Sequence, residues 1–133
     1  MTVLVDTSAL YAALDADDQH HSSVRAAFGE LATAGDDLVT HNYILLETVA
    51  LAQRRLGLGA VAMLLDDLLP VMEVLWIDRA THEEACARLL AARERRVSLV
   101  DWISFTTMRR GRIDVALAFD DHFREHGFRT IPG

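Results

Sequence analysis

Apolar positions along this chain recur with two different periods. Short runs rich in β-branched residues read as strands: 2–5 (TVLV), 37–40 (DLVT), 73–77 (EVLWI), 114–119 (DVALAF) and 128–131 (FRTI). Between them the apolar spacing is helical, over 8–14, 22–34, 41–56, 59–69, 80–95, 99–110 and a last turn at 121–126. The helical pair 41–56 and 59–69 breaks at the GLG of residues 57–59, and the last turn stops at Gly127. Strands alternating with helices predict an α/β domain with a mostly parallel sheet, flanked by helices, over the whole span 1–133. In such folds ligands gather beyond the carboxyl ends of the strands. The polar residues at those ends are Asp6, Thr40 with His41, Asp78, and Asp120.

Each acid has a structural explanation that competes with a chemical one. Asp6 ends the first strand and reads equally as a helix cap or a ligand, with Thr7 and Ser8 also available to start the helix. Asp120 ends a later strand in the same way, with Asp121 available as the cap. Parallel strands would bring Asp6 and Asp120 to one sheet edge. Ser98 and Asp101 have the S-x-x-D spacing of a helix start, which also leaves a carboxylate at the helix mouth. Glu47 shares a helical stripe with Ile44 and Leu51, a core-facing placement that calls for an Arg partner or a bound cation. Asp78 reads as structural, because DRATHEEA supplies helix-start residues around it.

The other polar residues carry less. His20 and His21 read as a solvated loop and helix start, and His122 and His126 as solvated residues of the last helix; His41 stays open. Cys86, the sole cysteine, lies among Ala85, Ala87, Leu89 and Leu90 and reads as a buried small hydrophobe. It excludes an internal disulfide and a multi-thiolate metal site. Trp76 and Trp102 read as core or rim aromatics.

Composition changes the picture at two points. The net charge of −7 argues against a broad electrostatic grip on nucleic acid. All thirteen basic residues are Arg, in local groups at Arg54 and Arg55, at Arg93, Arg95 and Arg96, and at Arg109, Arg110 and Arg112. The last group follows the Asp101 helix and is the first choice for a phosphate contact. No run approaches the roughly 18 apolar residues of a membrane span. Asp6 interrupts the first apolar run too early for a signal peptide, so a cytoplasmic protein is the expectation.

Four acids with no thiol and no histidine in a ligand spacing suit a hard, oxygen-preferring cation such as Mg²⁺, with Mn²⁺ the other choice. Receiver domains and haloacid-dehalogenase phosphatases also place acids at sheet edges, but both need a Lys and this chain has none. The segments VLVDTSALYAAL, NYILLET and SLVDWISFTTMRRGRIDVALAFDDHF resemble, in order and spacing, the successive motifs of the PIN-domain nucleases. Size and last motif resemble the VapC toxins of type II toxin–antitoxin pairs. The resemblance implies a PIN-like three-layer sandwich and a metal-dependent endoribonuclease that uses water as nucleophile. It places Asp6, Glu47, Asp101 and Asp120 on the acidic metal-site positions, with Ser8 and Thr106 on supporting hydroxyl positions. It implies a VapB-type antitoxin that occupies the acidic groove, an RNA substrate, and a homodimer through the helices of 41–69. Many relatives carry a further acid two residues after the fourth; here that place is His122, with Asp121 as a substitute. Two other readings stay open on sequence: a catalytically silent PIN-fold binding module, and a structure-specific DNA nuclease.

Overall fold

Strand β1 (Thr2–Val5) enters the interior at once, with Val3, Leu4 and Val5 wholly buried. The computed structural model describes residues 1–132. The other strands are β2 (Asp37–His41), β3 (Glu73–Leu75), β4 (Val115–Leu117) and β5 (Arg129–Ile131). They form one all-parallel sheet in the order β3-β2-β1-β4-β5, with Val5 in register with Leu117. Helices α1 (Thr7–Leu14) and α2 (His21–Ala34) connect β1 to β2. Helices α3 (Asn42–Arg55) and α4 (Leu58–Met63) connect β2 to β3, α5 (Arg79–Ala92) and α6 (Leu99–Gly111) connect β3 to β4, and α7 (His122–Glu125) connects β4 to β5. Right-handed crossovers put α1–α4 on one face of the sheet and α5–α7 on the other. The expected three layers and parallel sheet are what the chain forms.

The order of the strands decides where a site can open. The chain leaves β1 toward one face and leaves β4 toward the other, and these two strands are neighbours. The connections diverge there, so a crevice opens beyond the carboxyl ends of β1 and β4. Asp6 follows β1 directly and Asp120 lies three residues past β4.

Several boundaries differ from expectation for local reasons. The α3–α4 break falls at Gly57, whose φ of 95° is open to glycine and strained for other residues. Pro70 ends the following helix, which finishes as a π turn (Leu64–Leu68) and a 3₁₀ turn (Leu69–Val71). Asp78 caps α5 by accepting from the Thr81 amide at 2.8 Å, the structural role expected of it. Trp102 is buried against Phe105, whereas Trp76 is 76% exposed beyond the edge strand β3. Cys86 is half-buried, not buried, with Sγ 3.6 Å from Nε2 of His82. No described helix is long and apolar enough to cross a membrane.

His41, left open by the sequence, ties two layers together. It is wholly buried at the end of β2, and its Nδ1 accepts from the Ile44 amide at 3.2 Å, which caps α3. Its Nε2 meets Ser104 Oγ of α6 at 2.8 Å, and that hydroxyl donates to the Val100 carbonyl at 3.0 Å. The chain of bonds is satisfied by the neutral imidazole with its proton on Nε2. Burial holds it neutral, its pKa pulled down to about 3. Ser104→Ala should leave the Nε2 proton buried without an acceptor, at a cost of about 1–3 kcal/mol in urea unfolding. A loss below about 0.5 kcal/mol, the range of an ordinary surface change, would show that this pair does not anchor α3 to α6.

Candidate metal centre

Asp6 takes up the capping role its position suggested. It has extended backbone geometry and caps α1, with Oδ2 accepting from the Ser8 amide at 3.2 Å and the Ser8 hydroxyl at 2.7 Å. Thr7 and Ser8 therefore do not replace it as the cap. Ser8 Oγ also accepts from the Phe119 amide at 3.1 Å, and the Asp6 amide donates to the Leu117 carbonyl at 3.0 Å. These bonds fasten the end of β1 to the segment that leaves β4. Asp6 is only 3% exposed, and no Arg pairs with it among the described residues.

Asp101 also has two roles. Its amide donates to Ser98 Oγ at 3.2 Å, and its Oδ2 accepts from the Ser98 amide at 3.1 Å, a reciprocal capping box at the start of α6. The same Oδ2 lies 3.1 Å from Nδ1 of His122. Asp120 Oδ1 accepts from the His122 amide at 3.1 Å, so the turn into α7 fixes its direction. Oxygen and nitrogen donors of Asp101, Asp120 and His122 all lie within 4.8 Å of one another. Asp6 stands outside this group but near enough for the charges of Asp120 and Asp101 to act on it.

Like charges and burial act together on this cluster. Burial first, then the charges of Asp120 and Asp101, push Asp6 up to about 7, against the opposing bonds from Ser8. Burial and the charge of Asp101 raise Asp120 as well, while the His122 amide opposes them. Three carboxylates at one edge, one of them buried without a counter-ion, fit a divalent cation by the chemistry of the donor set.

The remaining expectations divide. The buried stripe of α3 is Ile44, Thr48 and Ala52, one position round from the expected stripe, so Glu47 is half-buried at its flank. Thr48 turns inward because its hydroxyl donates to the Ile44 carbonyl at 2.7 Å and needs no other partner. Glu47 makes no hydrogen bond or ion pair among the described residues and stands outside the Asp101–Asp120–His122 cluster. Thr106 is wholly buried with an unpartnered hydroxyl, about 140° round α6 from Asp101. Asp121 points to solvent and pairs with Arg124, so it does not replace the additional acid.

The arginines of the first-choice group sit at the far end of α6. Arg109 donates to the His126 carbonyl at 3.3 Å and lies over the Phe128 ring. Arg110 bonds Thr81 and Glu84 of α5, each at 3.0 Å. Arg112 lines a groove with Met1, Thr2 and Arg129, at the opposite edge of the sheet from the acids. The histidines expected in solvent are also engaged. His122 joins the acids, His126 stacks on Phe105, His20 stacks on Phe119, and His21 meets the Ala12 carbonyl. Spacing alone hid His122, because its acid partners come from α6 and the β4 end; the D-x-H of residues 120–122 was the available signal.

Burying the Asp6 carboxylate is unfavourable near neutral pH. Its folded pKa lies above the unfolded value, so its contribution is full below about pH 4 and is lost as pH rises through about 7. In chelator, wild type should weaken relative to Asp6→Asn by roughly 2–4 kcal/mol between pH 4 and pH 8. A difference in unfolding free energy that stays flat over that range would contradict the crowding of these acids.

Comparison with known proteins identifies the family. The PIN domain model matches residues 3–129. The 23S rRNA-specific endonuclease VapC20 of Mycobacterium tuberculosis, in two strains, is 35% identical over 130 residues, 97% of each chain. The crystal structure of that species' VapC20, described as a sarcin–ricin-loop-cleaving toxin, superposes with a TM-score of 0.85 at 33% identity over 95% of both chains. FitAcB of Neisseria gonorrhoeae (TM-score 0.72, 15% identity, 98% of this chain and 96% of that one) shares the fold. So does VapBC2 of Rickettsia felis bound to a promoter DNA fragment (TM-score 0.74, 12% identity, 98% and 97%). The chain belongs to the PIN domain family.

Proposed function

We propose that this chain is a divalent-metal-dependent endoribonuclease, the toxin of a type II toxin–antitoxin pair, with ribosomal RNA of the large subunit as its substrate. The observation that carries the reading is Asp6, buried beside Asp101 and Asp120 with no cation of the protein to balance it. The likeness to VapC20 along nearly the whole chain supports the substrate class. Asp6, Asp101 and Asp120 would hold the cation, with Glu47 of α3 the fourth acid of the proposal. Mg²⁺ or Mn²⁺, when bound, activates water and neutralises charge on the scissile phosphate and the leaving oxygen. The residues of this chain do the positioning. Ser8 holds the Asp6 carboxylate still, and the Ser98 box holds Asp101.

A substrate with a phosphate on every nucleotide must approach a protein of net charge −7. The loop from α5 to α6 supplies a local answer. Arg93, Arg95 and Arg96 are exposed on it, Arg96 lies 3.7 Å from Glu125 of α7, and the loop runs directly into Ser98 and Asp101. This group, beside the acids, replaces the one at the far end of α6 as the phosphate contact. The antitoxin occupies the acidic crevice with a basic side chain. A second copy packs on α4 and the turn after it, where Leu58, Met63 and Leu65 are exposed. The protein acts in the cytoplasm, where ribosomes are.

Purified protein incubated with ribosomes should cut large-subunit RNA at a discrete site in Mn²⁺ or Mg²⁺ and not in chelator. Asp101→Asn should lose at least about 100-fold in rate while keeping its unfolding midpoint, since an amide oxygen still accepts from Ser98. Arg95→Ala with Arg96→Ala should raise KM and reduce the salt dependence by about one unit of slope per lost phosphate contact. Cleavage in chelator, or by Asp101→Asn, would remove the metal-dependent reading.

A further inference from the structure

His122 is the polar residue of this edge that an all-acid site leaves unexplained. It opens α7, two residues past Asp120, and its ring is 18% exposed. Its backbone amide bonds Asp120 Oδ1, so ring and carboxylate leave one turn together. Nδ1 lies 3.1 Å from Asp101 Oδ2 and 4.0 Å from Asp120 Oδ1. Donors about 2.1 Å from one octahedral ion lie about 3.0 Å apart when adjacent and about 4.2 Å apart when opposite. Both His122 distances are therefore those of donors to a single ion, and the donors of Asp101 and Asp120 lie within 4.8 Å of each other.

We infer that His122 Nδ1 is a direct nitrogen ligand of the bound cation, and that the site selects a first-row transition-metal ion such as Mn²⁺ over Mg²⁺. The inference rests on the proposed metal-dependent reading and sharpens it. Mg²⁺ keeps oxygen ligands and gives up water reluctantly. An imidazole nitrogen is a borderline donor, and transition-metal ions accept it far more readily. A nitrogen donor also brings no negative charge of its own to the site, which weakens the attraction for a hard cation most. A histidine that served only as an internal counter-ion to Asp101 would have the opposite consequence, because any bound metal would displace it.

Two readouts independent of cleavage test this on the purified full chain. Electron spin-echo spectroscopy of the Mn²⁺-loaded protein should show nitrogen hyperfine coupling from one imidazole. The coupling should vanish in His122→Asp, which should still bind Mn²⁺. Calorimetric titration should give wild type a Mn²⁺ affinity at least about tenfold above that for Mg²⁺, with His122→Asp narrowing the ratio by improving Mg²⁺ binding. Mn²⁺ binding without nitrogen coupling, or with an unchanged ratio in His122→Asp, would overturn the inference and leave the nuclease reading standing. Failure of wild type to bind either ion would overturn both.

Discussion

Three carboxylates repel one another, and the fold has to hold them together before any ligand arrives. It does so with helix starts. Asp6 caps α1, Asp101 closes the capping box of α6, and Asp120 accepts the first amide of α7. Unpaired amides at a helix N-terminus offer partial positive charge and hydrogen bonds to an anion. Each acid is thereby oriented by backbone donors at one edge of the sheet. What remains uncompensated is the burial of Asp6, and after it the charges of Asp120 and Asp101, with only Ser8 to offset them. A divalent cation would relieve both.

Capping does not exclude the ligand role proposed for these residues. A cap fixes the side chain's direction, and a fixed direction is what a metal site requires. The topology supplies the rest. Because β1 and β4 are neighbours whose connections leave toward opposite faces, their carboxyl ends flank an open crevice and not a packed turn. The buried pair of His41 and Ser104 then holds α3 against α6 across the same edge.

Strand periodicity and chain order made the sheet legible, and strand ends pointed to Asp6 and Asp120. The S-x-x-D spacing pointed to Asp101. Other features depended on rotations and distances that spacing does not carry. Glu47 was assigned to the stripe of Ile44 and Leu51, but Thr48 satisfies its own hydroxyl and turns inward, so Glu47 lies at the flank. Arg109, Arg110 and Arg112 follow Asp101 in sequence, yet a helix carries them about 12–16 Å away at 1.5 Å per residue. The sequence around His122 shows only its short helix, whereas its partner Asp101 comes from another connection of the sheet. Long-range pairing of this kind is set by packing and is invisible to local pattern.

A cation that binds beside Asp6 should displace the proton its carboxyl carries without one. Calorimetric titration of Mn²⁺ at pH 7, in buffers of different ionisation enthalpy, measures the protons released on binding. With Asp6 held near a pKa of about 7, binding should release about half a proton from it at that pH, falling toward zero above pH 8.5, and Asp6→Asn should release clearly less than wild type. Cation binding with no proton release from wild type at pH 7 would contradict the claim that these carboxylates are held together against their own charge.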